Sequence, residues 1–315
     1  MRVCLMIEGQ EGVTWEDWVR LARLTEEHGF EGLFRSDHYT AIVRSQAGAL
    51  DAWTTLAGLA AVTERIRLGT LVSPATFRHP SVLARMAVTV DHISGGRVDV
   101  GMGAGWYERE HLAHGFAFLD AKQRFGLFAE QVEIVVRSWT ENAFDHSGEA
   151  YELREQTALP RPVSHPHPPL VLGGTVKPRF AELAARFADE VNTLGAPNDE
   201  LRERKERLDR ACRDAGRDPG TLAFSVMTAC FVGSERDEVL ERIGTFLSVR
   251  GGDADPEQML EERRATWLAG TVEEVAARIA ELEASGVDRV MLQHLNHSDD
   301  EMVALIGERL LPTLA

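Results

Sequence analysis

Apolar positions follow one alternation along the chain: a short run rich in Val, Leu, Ile and Phe, then a longer stretch with apolar residues at three- and four-residue spacing. The short runs read as strands buried on both faces, the longer stretches as amphipathic helices. Eight strand-like runs stand out, at 2–8, 32–38, 66–73, 97–106, 169–174, 189–195, 222–233 and 287–295. Between them lie helical stretches such as TWEDWVRLARLTEEHGF, HPSVLARMAVTVDHIS, FGLFAEQVEIVVRSW and DELRERKERLDRACRDAG. In the first helix Trp15, Trp18, Val19, Ala22 and Leu24 form the predicted apolar stripe. Thr14, with Asp17 three residues on, is the predicted amino-terminal cap.

Eight strand-then-helix units predict a parallel sheet, and eight is the number that closes a barrel. The expected fold is therefore α/β, a (β/α)8 TIM barrel forming one domain over residues 1–315. An open doubly wound sheet uses the same units, but no strand here is followed by a GxGxxG fingerprint opening a helix. GMGAGW (101–106) has only GxGxG, and the polar start YEREH follows it.

Two insertions break the regular spacing, after the fourth and seventh βα units. The first, ENAFDHSGEAYELREQTALPRPVSHPHP, is too long for a plain loop and reads as an excursion with a short hairpin. The second spans 248–271, where Gly251, Gly252, Asp253, Asp255 and Pro256 interrupt any helix. Its glycine-rich start is expected to be mobile and to lie over the barrel mouth.

Charge narrows the partners. Fifty acidic against 34 basic residues give a net charge of −16, a field that repels nucleic acid and anionic lipid. No apolar run is long enough to span a membrane, and MRVCLMIEGQEG does not read as a signal peptide, so a cytoplasmic location is expected. Cys4, Cys212 and Cys230 share no metal-like spacing and are expected to be reduced. An anionic ligand would need local help from backbone amides and a few basic groups.

Barrel chemistry sits at the carboxyl ends of the strands. Those ends offer Asp37 and His38; Leu71, Val72 and Ser73; Gly103, Gly105 and Trp106; Gly173, Gly174 and Thr175; Asn192 and Thr193; Met227 to Ala229; and Gln293, His294 and Asn296. This is one strong acid–base candidate among several glycines, an unusual mix for a hydrolase. Glycines at strand ends let a large flat ligand approach the backbone. GGTVKPRF then opens a helix, so the amides of Gly174 and Thr175 are candidates to hold a phosphate, with Lys177 and Arg179 near. No catalytic metal is expected, because the third and fourth strand ends bring no His, Asp or Glu ligand. His294 is the candidate for a substrate pocket. His165 and His167 sit in a Pro-rich loop, and His111 and His114 follow GAGW near the expected cofactor tail.

SDH after the second strand, GTLVSPATFRHPSVLARMAVTVDHISGGRVDVGMGAGWYEREH, PLVLGGTVKPRFAELAARFAD and WLAGTVEEVAARIAELEASGVDRVML together resemble the bacterial luciferase-like superfamily over nearly the whole chain. Its members divide mainly between FMN-dependent monooxygenases and oxidoreductases using the deazaflavin coenzyme F420. Asp37-His38 and GAGWYEREH are similar to the deazaflavin branch, whereas monooxygenases often carry Glu-His-His at that place. The resemblance implies a non-proline cis peptide at Leu71–Val72, forming a bulge behind the cofactor ring. It also implies that Ser73, Ala104, Gly105, Arg109, Gly173, Gly174 and Val176 line the cofactor. Sugar-phosphate dehydrogenases of the family carry a glutamate where this chain has Trp106, which cannot accept a proton. An aromatic group there points instead to an apolar or planar substrate.

On this reading His38 is the catalytic proton donor or charge stabiliser, and Asp37 fixes the cofactor's polar edge or orients the histidine. The expected activity is hydride transfer between reduced F420 and a small organic substrate. The alternative is an FMN-dependent monooxygenase working with a separate flavin reductase. A ligand-binding barrel without catalysis is a third reading. A homodimer through outer helices and a separate cofactor reductase are the expected partners.

Overall fold

The structure is a computed structural model, and it describes residues 1–44, 47–157, 159–251 and 254–314. Eight strands carry the chain around a closed parallel barrel. They are β1 Arg2–Ile7, β2 Gly32–Arg35, β3 Arg67–Thr70, β4 Val98–Gly103, β5 Leu170–Gly173, β6 Glu190–Leu194, β7 Ala223–Gly233 and β8 Arg289–Gln293. Each pairs with its chain neighbour, and β8 returns to β1 with Arg2 opposite Arg289. All eight expected strands are present. Except for β7, which runs to the end of its apolar run, they stop short because the last residues of each run leave the ladder to form the mouth.

The helices are α1 Trp15–Glu27, α2 Ala52–Val62, α3 Pro80–Ser94, α4 Glu108–His114, α5 Ala121–Thr140, α6 Pro178–Phe187, α7 Asn198–Asp214, α8 Arg236–Val249, α9 Pro256–Arg263, α10 Val272–Ala284 and α11 Asp300–Leu305. Among the described residues no helix is long and apolar enough to cross a membrane. Thr14 and Asp17 close a reciprocal capping box on α1. Of the expected stripe of α1, Trp18 and Ala22 are buried, joined by Leu21 and Thr25, while Val19 and Leu24 are half-buried. Trp15 lies across α2 instead, its ring so close to Gly58 that a side chain there would collide with it.

The first insertion forms the expected hairpin, Ala143–Ser147 with Glu152–Thr157. In the second, α8 ends at Val249 and Pro256 starts α9, with Asp255 accepting from the Glu257 amide as its cap. Gly252 and Asp253 lie outside the described residues. A strand not anticipated, Leu268–Thr271, then pairs with the far half of β7, from Cys230 to Gly233.

The alternation of each strand divides the core in two. Residues facing outward pack against the helices in the main core. Inside the barrel, Cys4, Met6, Phe34, Leu71, Val171 and Met291 form a separate apolar plug, with Val72 and Met227 against it. Below the plug, at the amino ends of the strands, lies a buried ionic layer. The Arg289 guanidinium is 3.0 Å from Asp99, 2.7 Å from Glu190 and 3.6 Å from Glu31. Arg67 also pairs with Asp99, and Arg2 lies 3.3 Å from Glu31. Burial pushes the Glu190 carboxyl up despite the guanidinium beside it. All three cysteines are free and buried.

At the top of the plug the chain makes a bulge. The Leu71–Val72 peptide is cis, the geometry that the resemblance implies, and Ser73–Pro74 resumes pairing with β4. The Val72 side chain fills the space over Gly101, Gly103 and Gly173. A Cβ at Gly103 would lie 2.6 Å from it, and one at Gly173 2.7 Å. These two glycines therefore make room for the bulge. Gly101 is tighter still, since a Cβ there would fall 1.9 Å from the Thr70 carbonyl oxygen. A Gly101→Ala variant is expected to lose about 1–3 kcal/mol of unfolding free energy through overpacking. Urea denaturation checks this, and an unchanged midpoint would contradict the tight fit.

Candidate active site

The carboxyl ends of β1, β2, β4 and β8 bring the ionisable groups of the mouth together. His38, three residues past β2, donates from Nδ1 to Glu110 Oε2 at 2.7 Å. Glu110 is completely buried in the first turn of α4, and its other oxygen accepts from the Tyr39 and Thr40 amides. With one oxygen engaged by two N–H groups and the other by the ring, Glu110 acts as acceptor and assigns the Nδ1 proton to His38. Nε2 makes no hydrogen bond within the protein among the described residues. Burial by itself would lower the pKa of His38, but the hydrogen bond and negative charge of Glu110 outweigh it and hold the imidazole above its usual value. In the same pair, burial pushes the Glu110 carboxyl up, and His38 with the two amides brings it below the ordinary range.

Trp106 stands beside this pair, 62 % exposed, edge-on to His38 at 5.9 Å and stacked on Tyr107 at 5.2 Å. Gly105, with φ of 78°, turns the chain from β4 toward α4, and a Cβ there would lie 2.9 Å from Thr76 Oγ1. Ala104 is half-buried and Arg109 is exposed, with no ion pair among the described residues. Leu194, at the end of β6, is 64 % exposed.

Asp37 does not orient the histidine. Its carboxylate is buried and accepts from Arg78 Nη1 at 2.6 Å, Arg78 Nη2 at 3.1 Å and Ser73 Oγ at 2.6 Å. Ser73 in turn accepts from the Trp53 indole. Arg78 also reaches Asp51 at 2.8 Å and the Tyr39 hydroxyl. This network locks the loop after β2 to the bulge after β3. The orienting role expected of Asp37 belongs to Glu110.

Around β5 the amide of Gly174 already donates to the Asn192 carbonyl, so it is not free for a phosphate, contrary to expectation. Gly174 and Thr175 are exposed, as are Lys177 and Arg179. Val176 puts its side chain in the core, and its carbonyl accepts from Arg207. The expectation for His294 also needs correction. Strand alternation turns Met291 and Gln293 inward, so His294 packs under the helix layer, 1 % exposed, with neither ring nitrogen partnered. Burial pushes its pKa down to about 4. Gln293 takes the mouth position and donates to Glu8 Oε1.

Glu8 and Glu110 were missed in the sequence. Glu8 carried a usable signal, an ionisable residue closing the first apolar run. Glu110 had only the polarity of YEREH, and nothing in linear spacing ties it to His38. His111, nearby, is structural: it bonds Thr76 at 2.7 Å and the Tyr107 carbonyl. Among the described residues no group of three or more His, Cys, Asp or Glu is placed to hold a metal.

The surroundings fit a flat cofactor with an anionic tail. The apolar plug, with Val72 at its top, gives a floor, and the half-buried Ala104 and Gly105 and the exposed Gly174 and Thr175 flank it. Arg109, Lys177 and Arg179 supply cations on that side of the rim.

Comparison with known proteins gives this site its setting. The luciferase-like monooxygenase family model matches residues 2–289. An FMNH2-dependent dimethylsulfone monooxygenase of Pseudomonas putida is 25% identical over 96% of this chain and 89% of its own. An F420-dependent glucose-6-phosphate dehydrogenase of Microbacterium testaceum is 27% identical over 92% of this chain and 91% of its own. The crystal structure of monooxygenase RslO1 from Streptomyces bottropensis superposes with a TM-score of 0.86 at 26% identity, covering 100% of both chains.

Proposed function

The chain belongs to the luciferase-like monooxygenase family, and from that premise we propose that it is an oxidoreductase using coenzyme F420 to transfer a hydride to or from a small organic substrate. The observation that carries this reading is the His38–Glu110 pair beside Trp106 at the mouth. When bound, the deazaflavin would donate or accept the hydride. The chain's own residues do the rest. Leu71, Val72 and Ser73 back the ring, while Ala104, Gly105, Gly173, Gly174, Thr175 and Val176 flank it through backbone atoms. Arg109 and Lys177 meet the anionic tail.

His38 holds a proton at Nε2 and delivers it to the substrate heteroatom on which negative charge develops, taking it back in the reverse direction. Glu110 keeps the ring oriented and stabilises its charged form. Trp106 places an apolar or planar substrate body against the mouth, and it stands where the sugar-phosphate dehydrogenases carry their proton-accepting glutamate.

An FMN-dependent monooxygenase supplied by a separate reductase is the second reading, favoured by the likeness to the dimethylsulfone enzyme. A screen of carbonyl and enoate substrates under nitrogen, following loss of reduced F420, separates the two. Turnover without oxygen is expected. Turnover only with reduced FMN and oxygen would move the assignment to the second reading. We also read the molecule as a homodimer through its outer helices, so light scattering is expected to give twice the chain mass.

A further inference from the structure

We propose that Glu8 selects the substrate, and that it takes a protonated amine or amidine attached to a planar or apolar body. This rests on reading the mouth as the active site. Asp37, Asp51 and Glu110 are already satisfied, and so is Glu11, which lies three residues past Glu8. Asp37 and Asp51 share Arg78, and Glu110 holds His38 and two amides. Glu11 accepts from the Ile42, Val43 and Arg44 amides.

Glu8 differs. Its Oε2 accepts from the Gln10 amide at 2.8 Å and its Oε1 from Gln293, both neutral; no salt bridge reaches it among the described residues, and its charge acts at longer range on His38, helping to raise that ring's pKa. Two glutamines fix the carboxylate without cancelling its charge, and each oxygen keeps a free lone pair. A half-buried carboxylate held in this way is offset best by a cation brought by a ligand.

Other residues at the mouth agree in chemistry. Trp106 and Tyr107 present a stacked aromatic pair whose faces attract a cation as well as a planar body. The Leu194 side chain adds an exposed apolar surface at the end of β6. The rim's exposed cations Arg109, Lys177 and Arg179 lie after β4 and β5, whereas Glu8 lies between β1 and β8. Those cations suit the cofactor tail, which leaves the side of Glu8 for the substrate.

The test measures binding of benzylammonium, benzyl alcohol and benzoate to the cofactor-loaded protein, and in parallel to the cofactor-free protein, by saturation-transfer NMR and calorimetry. Benzylammonium is expected to bind at least about tenfold more tightly than benzoate, as a charge-assisted hydrogen bond allows. Glu8→Gln is expected to erase the difference while the cofactor affinity stays unchanged, and Glu8→Asp to keep part of it. Equal or tighter binding of benzoate by the wild type, or an undiminished preference in Glu8→Gln, would overturn the proposal. If neither F420 nor FMN binds, the proposed function fails, but the cofactor-free measurement still decides the role of Glu8.

Discussion

Replacing His38 with Asn is expected to lower kcat by about 10²–10⁴-fold, the usual worth of a positioned general acid or base, while cofactor affinity changes little. Asparagine keeps a polar group near Glu110 but carries no proton for transfer. The companion variant Glu110→Gln tests the pairing. A pKa held up by Glu110 means that activity needing protonated His38 is present below that raised pKa and is lost as pH rises through it. Without the carboxylate the His38 pKa falls, so the alkaline limb of the kcat/KM profile is expected to move toward acid. A profile in Glu110→Gln identical to the wild type would show that Glu110 only ties down the loop at Tyr39 and Thr40.

The second large effect is on stability. Arg289→Ala is expected to cost about 3–5 kcal/mol, the penalty for removing one partner of a buried ion network. The arginine is 2 % exposed and meets Asp99, Glu190 and Glu31 at once, so its loss leaves carboxylates facing one another beneath the apolar plug. Urea denaturation measures the change. Arg289→Met, which preserves volume, is expected to be similarly costly because the carboxylates remain. A loss below about 1 kcal/mol, as for an exposed ion pair, would contradict the network's importance.

The barrel was legible because strand and helix periods differ and the alternation runs through all eight units. Element ends were less so: the run at 32–38 contains both a strand and the loop that carries Asp37 and His38. The strand at Leu268–Thr271 was hidden because its partner is the unusually long far half of β7, a pairing that local pattern cannot announce.

At the site, His38 was readable from SDH, but its partner was not. Asp37 is adjacent in sequence and turns toward Arg78, whereas Glu110 reaches His38 from another βα unit. His294 was misplaced by a single residue of register, since a strand's period of two sends neighbours to opposite faces. The glycines at 103 and 173 were seen, but their use was not. They accommodate Val72, which itself carries the floor of the mouth.

The most direct test of the account is a fluorescence titration of the purified protein with F420 and, in parallel, with FMN. Tight binding of the deazaflavin with weak binding of FMN is the predicted result. FMN binding tightly while F420 does not would contradict the proposed cofactor and turn the mouth's chemistry toward oxygen.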